Sequence, residues 1–319
     1  MRVSQEVGVG LPAQLMQQRS GLGKSFEKSK HLLLLVLPCL LFFAMFRYVP
    51  MFGVMISFQN YNMFKGVWQS DWVGLKYYMM FFQNPDFFLL LRNTFLLSFY
   101  QLLFGFPAPI LLALLLNELR LQAFKRIVQS LSYLPHFLSY VIVASMIIGF
   151  LSPTGGLVNQ VMGWFGADPV NWLIEAQWFR TIYVTSGVWQ SIGWSSILYL
   201  AALTAIDPHL YEAAEMDGAG RFRKMWHISL PGIMGVTVVL LILNVGNMLD
   251  VGFEKVYLLS NPSIYETADI ISTYVYRVGL VEGNYSYATA IDLFTGIINL
   301  VLLLLVNTIA RRMGENSMW

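Results

Sequence analysis

The chain has 319 residues, 56% of them hydrophobic and only 12% charged, and its mean hydropathy is +0.58. Soluble domains carry about 25% charged residues, so a water-soluble fold does not fit this composition. A net charge of +2, with no dense Lys/Arg run among aromatics, excludes a nucleic-acid groove, and the single cysteine, Cys39, can build neither a disulfide framework nor a thiolate metal cluster.

Residues 1–31 are polar and carry Arg2, Arg19, Lys24, Lys28 and Lys30 ahead of a long apolar run with no small-residue cleavage site. That pattern predicts a retained first span behind a cytoplasmic N-terminal segment. Gly23, Lys24 and Ser25 read GKS, but a phosphate-binding loop needs glycine at position 18, which is Gln18, and no strand precedes it. No ATP site and no cofactor is expected in this chain.

A span of roughly 30 Å of hydrocarbon needs about 20 apolar residues. Six runs qualify: Leu32 to Phe58, Asn93 to Leu116, Leu131 to Leu151, Ile182 to Ile206, Ile233 to Val251 and Tyr287 to Ala310. They read as helices, because lipid tolerates only helices or closed barrels and a barrel's short alternating pattern is absent. The expectation is therefore an all-α integral membrane protein with a membrane domain over 32–310 and a tail over 311–319.

Cytoplasmic segments hold the excess of positive residues. The N-terminal five, with Arg120, Lys125, Arg126, Arg221, Arg223, Lys224, Arg311 and Arg312, fall on one side. Arg47, Lys65, Lys76, Arg92, Arg180, Lys255 and Arg277 fall in or beside the opposite connections. Both termini are thus expected in the cytoplasm. The outer connections are aromatic, with Trp68, Trp72, Trp164, Trp172 and Trp178, as suits the headgroup belt.

Between the fourth and fifth spans lies a charged cytoplasmic stretch, 207–231. Asp207 is a good N-cap and Pro208 suits the first helical position, so a helix should run through Tyr211, Glu212, Ala213, Ala214, Glu215 and Met216 toward Asp217. Gly218 and Gly220 should break it, and a second helix through Phe222, Met225 and Trp226 should end before Pro231. Small Ala213 and Ala214 leave room for close approach, while Tyr211, Met216, Phe222 and Met225 offer apolar knobs to a partner.

Glu212, Ala213, Ala214, then Gly218, then Ile228, Leu230 and Pro231 resemble the EAA loop of ABC importer permeases in residue and in spacing. The resemblance extends over Phe46 to Asn62, Val188 to Asp207 and Gly252 to Leu280, and is similar to carbohydrate-uptake permeases of the type I importer class, near alginate-type importers. It implies a MetI-like permease fold, alternating access and a bacterial inner-membrane location. Its implied partners are a second permease, two ATPase subunits that hold ATP and Mg and dock on Tyr211 to Pro231, and an extracytoplasmic solute-binding protein. An integral membrane enzyme acting on sugars and a passive channel are the rival classes. Neither the four histidines nor any Ser or Cys shows catalytic or metal spacing, and a channel would have no need of the docking loop.

Polar groups inside spans are costly unless they face a cavity or one another. Asn244, Asn247 and Asp250 are spaced by three and should climb one side of the fifth span, where the related maltose permease lines its sugar site with an asparagine-bearing segment. Trp189, Gln190, Asn93 and Gln101 are further pathway candidates, the alternative for all of them being interhelical hydrogen bonding. Arg47 lies roughly 24 Å into the first span. It either snorkels outward or points inward to recognise the carboxylate of an acidic sugar.

Overall fold

The computed structural model describes residues 34–312, and these are almost wholly helical. Two units are distinguished, 1–55 and 56–319. The first holds most of α1 (Leu34–Phe58), a helix of 25 residues whose span window buries no residue. Apart from Arg47, such a helix is apolar around its circumference, as lipid demands rather than water. It is not regular: a π-helical turn, Ala44–Tyr48, precedes Pro50, and a 3-10 turn, Phe52–Phe58, follows. Pro50 has no N–H to give the preceding turn, and widening that turn accommodates the lost bond.

In the second unit, a short ladder pairs Gln59 with Trp72 and Asn60 with Asp71. Helix α2 (Lys76–Phe82) leads into α3 (Phe87–Asn117), a 31-residue helix interrupted at Phe106 by the Pro107–Pro109 pair. The expected second span lies inside it. Helix α4 (Gln122–Tyr133) follows, closing in a 3-10 turn at Leu134–Phe137, and α5 (Tyr140–Leu151) departs from it at 103°. The continuous third span expected from Leu131 to Leu151 is therefore corrected to a corner. Its cause is local: Pro135 sits in the turn, Leu138 is extended, and Ser139 caps α5 by accepting from the Ile142 amide.

Helix α6 (Leu157–Trp164) precedes α7 (Ala176–Thr204), whose 29 residues hold all but the last two residues of the expected fourth span, although α7 is not among the helices apolar enough to cross a membrane unaided. Gly193 of α7 faces the Ser132 carbonyl so closely that a Cβ there would run into the backbone of α4. The charged stretch 207–231 forms α8 (Pro208–Met216) and most of α9 (Arg221–Gly232), and α10 (Met234–Gly246) leaves α9 at 60°. Helix α11 (Phe253–Leu259) and a helix at Ile271–Tyr276, α12, lead to α13 (Tyr285–Arg312). By length and composition α1, α3 and α13 can each cross a membrane unaided, and the bent pairs α4–α5 and α9–α10 can do so as broken spans.

Three clusters hold the second unit together. Leu97, Phe179, Val184, Val256 and Ile264 join α3, α7 and α11. Phe81, Leu90, Ile271 and Ile291 join α2, α3, α12 and α13. Ile110, Ala113, Tyr199, Leu203 and Ile233 join the far ends of α3 and α7 to the start of α10. Beyond them the helices turn bare Leu111, Leu115, Ile297, Leu300 and Leu304 outward. Apolar surface on that scale is the signature of a lipid or partner face.

Candidate functional site: a docking hairpin joined to a polar cavity

Asp207 begins the hairpin as expected, its carboxylate accepting from the His209 amide with Pro208 at the first helical position. Gly218 then takes φ +73°, the left-handed region, and the Ala219 amide returns to the Ala214 carbonyl, closing α8 with a residue that needs no Cβ. Gly220 starts α9. That helix corrects the sequence expectation, for it runs through Ile228, Leu230 and Pro231 to Gly232, widening into a π turn at Met225–Ser229 on the way. Pro231 lacks an N–H, and the wide turn ahead of it absorbs the missing bond instead of ending the helix.

Two polar contacts tie the helices together and a third lies within the first of them. Tyr211 Oη lies 3.0 Å from Ser229 Oγ, Lys224 donates to Glu215, and His209 Nδ1 lies 3.2 Å from Glu212 within α8. The Lys224 ammonium holds the Glu215 carboxyl below the usual carboxylate range. Glu212, Ala213, Glu215, Asp217 and Gly218 are exposed, and Met216 and Phe222 are bare at 89% and 85%. Ala214, Asp217, Arg223, His227 and Ile228 line a shallow cavity of about 350 Å³ between the helices. On the opposite side, Met225 and Leu230 pack on the cluster that contains Ile110, Tyr199, Leu203 and Ile233. One face of the hairpin is thus free while the other is continuous with α3, α7 and α10.

Above that junction lies a cavity of about 460 Å³ bounded by α3, α7 and the end of α10. It brings together Gln101, Asn244, Asn247 and Asp250, with Ser98, Ser191 and Ser195. The expected ascent of one helix side does not hold for all three, because α10 ends at Gly246, Asn247 caps it and Asp250 lies beyond. Each asparagine donates its Nδ2 to the carbonyl four residues back, Leu240 at 2.8 Å and Leu243 at 3.0 Å. That leaves their Oδ1 atoms as acceptors.

The remaining candidates go elsewhere. Gln190 is buried and donates to the Leu138 carbonyl at 3.1 Å, sealing the α4–α5 corner. Trp189 is 44% exposed and is not part of the cavity wall. Asn93 is fully buried and donates to the Glu266 and Asp269 carbonyls, both at 3.0 Å. Arg47 is exposed on α1. Among the described residues no group of His, Cys, Asp and Glu could hold a metal ion.

One residue was missed. Lys255, counted with the outer connections, is 3% exposed, donates to the Tyr183 carbonyl at 2.7 Å and sits 4.6 Å from that tyrosine's ring centroid. Gly187, without a Cβ, makes the room that Lys255 and Gln101 share against α7. Nothing in the local pattern GFEKVY distinguishes a buried lysine from an exposed one.

The family model for the binding-protein-dependent transport system inner membrane component matches residues 105–315, which contain the α8–α9 hairpin and the α10 half of the cavity. The polygalacturonan/rhamnogalacturonan transport system permease protein YteP of Bacillus subtilis is 50% identical over 292 residues, covering 92% of this chain and 91% of the relative. A chain of a bacterial ABC transporter involved in importing the acidic polysaccharide alginate superposes with TM-score 0.85 at 42% identity, covering 91% of this chain and 98% of that one. A second alginate transporter structure, in complex with an alginate pentasaccharide-bound periplasmic protein, gives TM-score 0.86 at 41% identity, over 92% and 99% of the two chains. On a family match over most of its length and on these relatives, the chain belongs to the binding-protein-dependent transport system inner membrane components, the permeases of ABC importers.

Proposed function

We propose that this chain forms one half of the translocation pathway of an importer that carries oligo- or polysaccharide, with uronate residues in the cargo, across the bacterial inner membrane. The observation that carries the reading is the continuity of the exposed α8–α9 hairpin, through Leu230 and Ile233, with the helices bounding the polar cavity. A relative named for polygalacturonan and two structures named for alginate support acidic carbohydrate as the class. Six spans with both termini in the cytoplasm agree with the side on which Lys and Arg concentrate. Two ATPase subunits supply ATP and Mg and dock on the hairpin, a second permease completes the pathway, and a solute-binding protein delivers the cargo.

The mechanism follows from rigidity. Closure of the ATPases on ATP pushes α8 and α9 as one body, since Tyr211–Ser229 and Glu215–Lys224 tie them. The push reaches α10 and α7 through packed Leu230, Ile233, Tyr199 and Leu203, which have no slack to absorb it. Opening and closing of the cavity to the two sides is then rigid-body rocking. The test is ATP-dependent uptake of an oligogalacturonide into vesicles holding the four-subunit complex and the binding protein. Uptake that persists without ATP, yet needs this chain, would mark a passive channel instead.

A further inference from the structure

A second cavity of about 660 Å³ lies between α3 and α7, within the range of ligand pockets. Its wall combines Tyr100 and Phe104 with Gln177, Arg180, Thr181 and Thr185, an aromatic surface beside polar donors. Arg180 is half-buried, and of its five donors one is paired: Nη2 donates to Asn93 Oδ1 at 3.1 Å. Its Nε is shielded from solvent and has no partner. Arg92 donates to the same Asn93 oxygen at 3.4 Å and to the Glu266 carbonyl at 2.8 Å.

Two guanidinium groups therefore converge on one neutral oxygen. The ion pairs among the described residues are Lys65–Asp71, His209–Glu212, Lys224–Glu215 and Arg277–Asp269, so no carboxylate lies within 4.0 Å of either arginine, and the Glu266 carboxylate acts on Arg180 only from beyond that distance. Asp269, whose carbonyl Asn93 holds, spends its carboxylate on Arg277 at 2.7 Å. A clustered pair of like charges, with Arg180 Nη1 making no hydrogen bond within the chain, is stabilised by a planar anion that accepts from the two terminal nitrogens of the guanidinium fork. The cavity beside Asp250 has no arginine or lysine in its wall, and a carboxylate there would face one of its own sign.

We propose that Arg180, backed by Arg92 across Asn93, is a carboxylate-recognition site of this permease that selects uronate-bearing cargo in the α3–α7 cavity. The proposal rests on the carbohydrate reading above. Uptake of labelled trigalacturonate is measured with the complete importer in vesicles, against cargo-loaded binding protein, for the wild type, Arg180→Gln, Arg92→Gln and Arg180→Lys. The half-saturating concentration should rise at least about tenfold in both glutamine variants. Arg180→Lys, which keeps the charge and loses the fork, should fall between them and the wild type.

Absence of uptake by the wild type would overturn the carbohydrate reading itself. Wild-type uptake with unchanged half-saturation in Arg180→Gln would overturn the site alone. A loss confined to the maximal rate, equal in Arg180→Gln and Arg180→Lys, would make Arg180 a strut between α3 and α7 and would also overturn it. The same series is run in phosphatidylcholine and in phosphatidylglycerol vesicles. Dependence on the arginines only in phosphatidylglycerol would assign the site to a lipid headgroup and remove it from the cargo.

Discussion

Gly218 and Asn93 each serve the backbone, one through its own turn and the other through carbonyls of a distant segment. At φ +73° a β-branched side chain is strained by roughly 1–2 kcal/mol, and the strain falls on the turn that sets α8 against α9. Gly218→Val should abolish ATP-dependent uptake while the protein remains in the membrane, and Glu212→Lys should do the same by reversing a charge on the exposed face. Uptake and ATPase co-purification from membranes check both, and normal transport by the pair would remove the hairpin's docking role. Asn93 is different in kind: its amide satisfies two carbonyls of the Tyr265–Ile270 segment and gathers Arg92 and Arg180 on its oxygen. Asn93→Ala should cost about 1–3 kcal/mol for each buried group it orphans, read as a lower melting temperature in detergent.

At the scale of elements, the junction of α9 with α10 packs the hairpin against α3 and α7. Ile233 is fully buried at that junction, and Gly232 lets the chain pass close to Ile206. Ile233→Ala should destabilise by about 2–5 kcal/mol, and cargo should stimulate ATP hydrolysis less because a cavity now separates α9 from α7. An ATPase that still responds fully to cargo in this variant would show that the force takes another route. The α4–α5 corner depends on an equally tight contact, α7 meeting the Ser132 carbonyl at Gly193. Gly193→Leu cannot be accommodated by a rotamer change, because the obstacle is backbone, and recovery of folded protein from membranes should fall sharply.

For the whole molecule, topology and energy source can be tested together. Cys39 is the only native cysteine, so a Cys39→Ser background allows single cysteines to report sidedness. A cysteine at Arg223 should react with a membrane-impermeant maleimide only from the cytoplasmic side, and one at Trp68 only from the outer side. The reverse result would invert the assigned orientation. The isolated chain should neither bind nor hydrolyse ATP, and Lys24→Ala should leave the assembled importer's ATPase rate nearly unchanged. Lys24 lies outside the described residues, so that expectation stands on the missing glycine at Gln18 alone.

Features that depend on neighbours in the chain were legible before any fold was known. Hydropathy placed the long helices α3 and α13, because the pattern lipid imposes is a property of consecutive residues. Asp207–Pro208 and Gly218 announced the α8–α9 hairpin, since capping and left-handed turns are local chemistry. What tertiary structure decided were the places where distant segments meet. Pro231 was read as a stop, yet a π turn carried α9 past it. Leu131 to Leu151 read as one apolar run, yet a turn at Pro135, sealed by Gln190 from α7, folded it into a corner. Lys255 and Arg180 looked like outer-loop charges because their position along the chain says nothing of the carbonyl, ring or amide that receives them. The burial of a charge is set by groups brought from elsewhere in the chain, here Tyr183 and Asn93 at sequence separations of 72 and 87 residues.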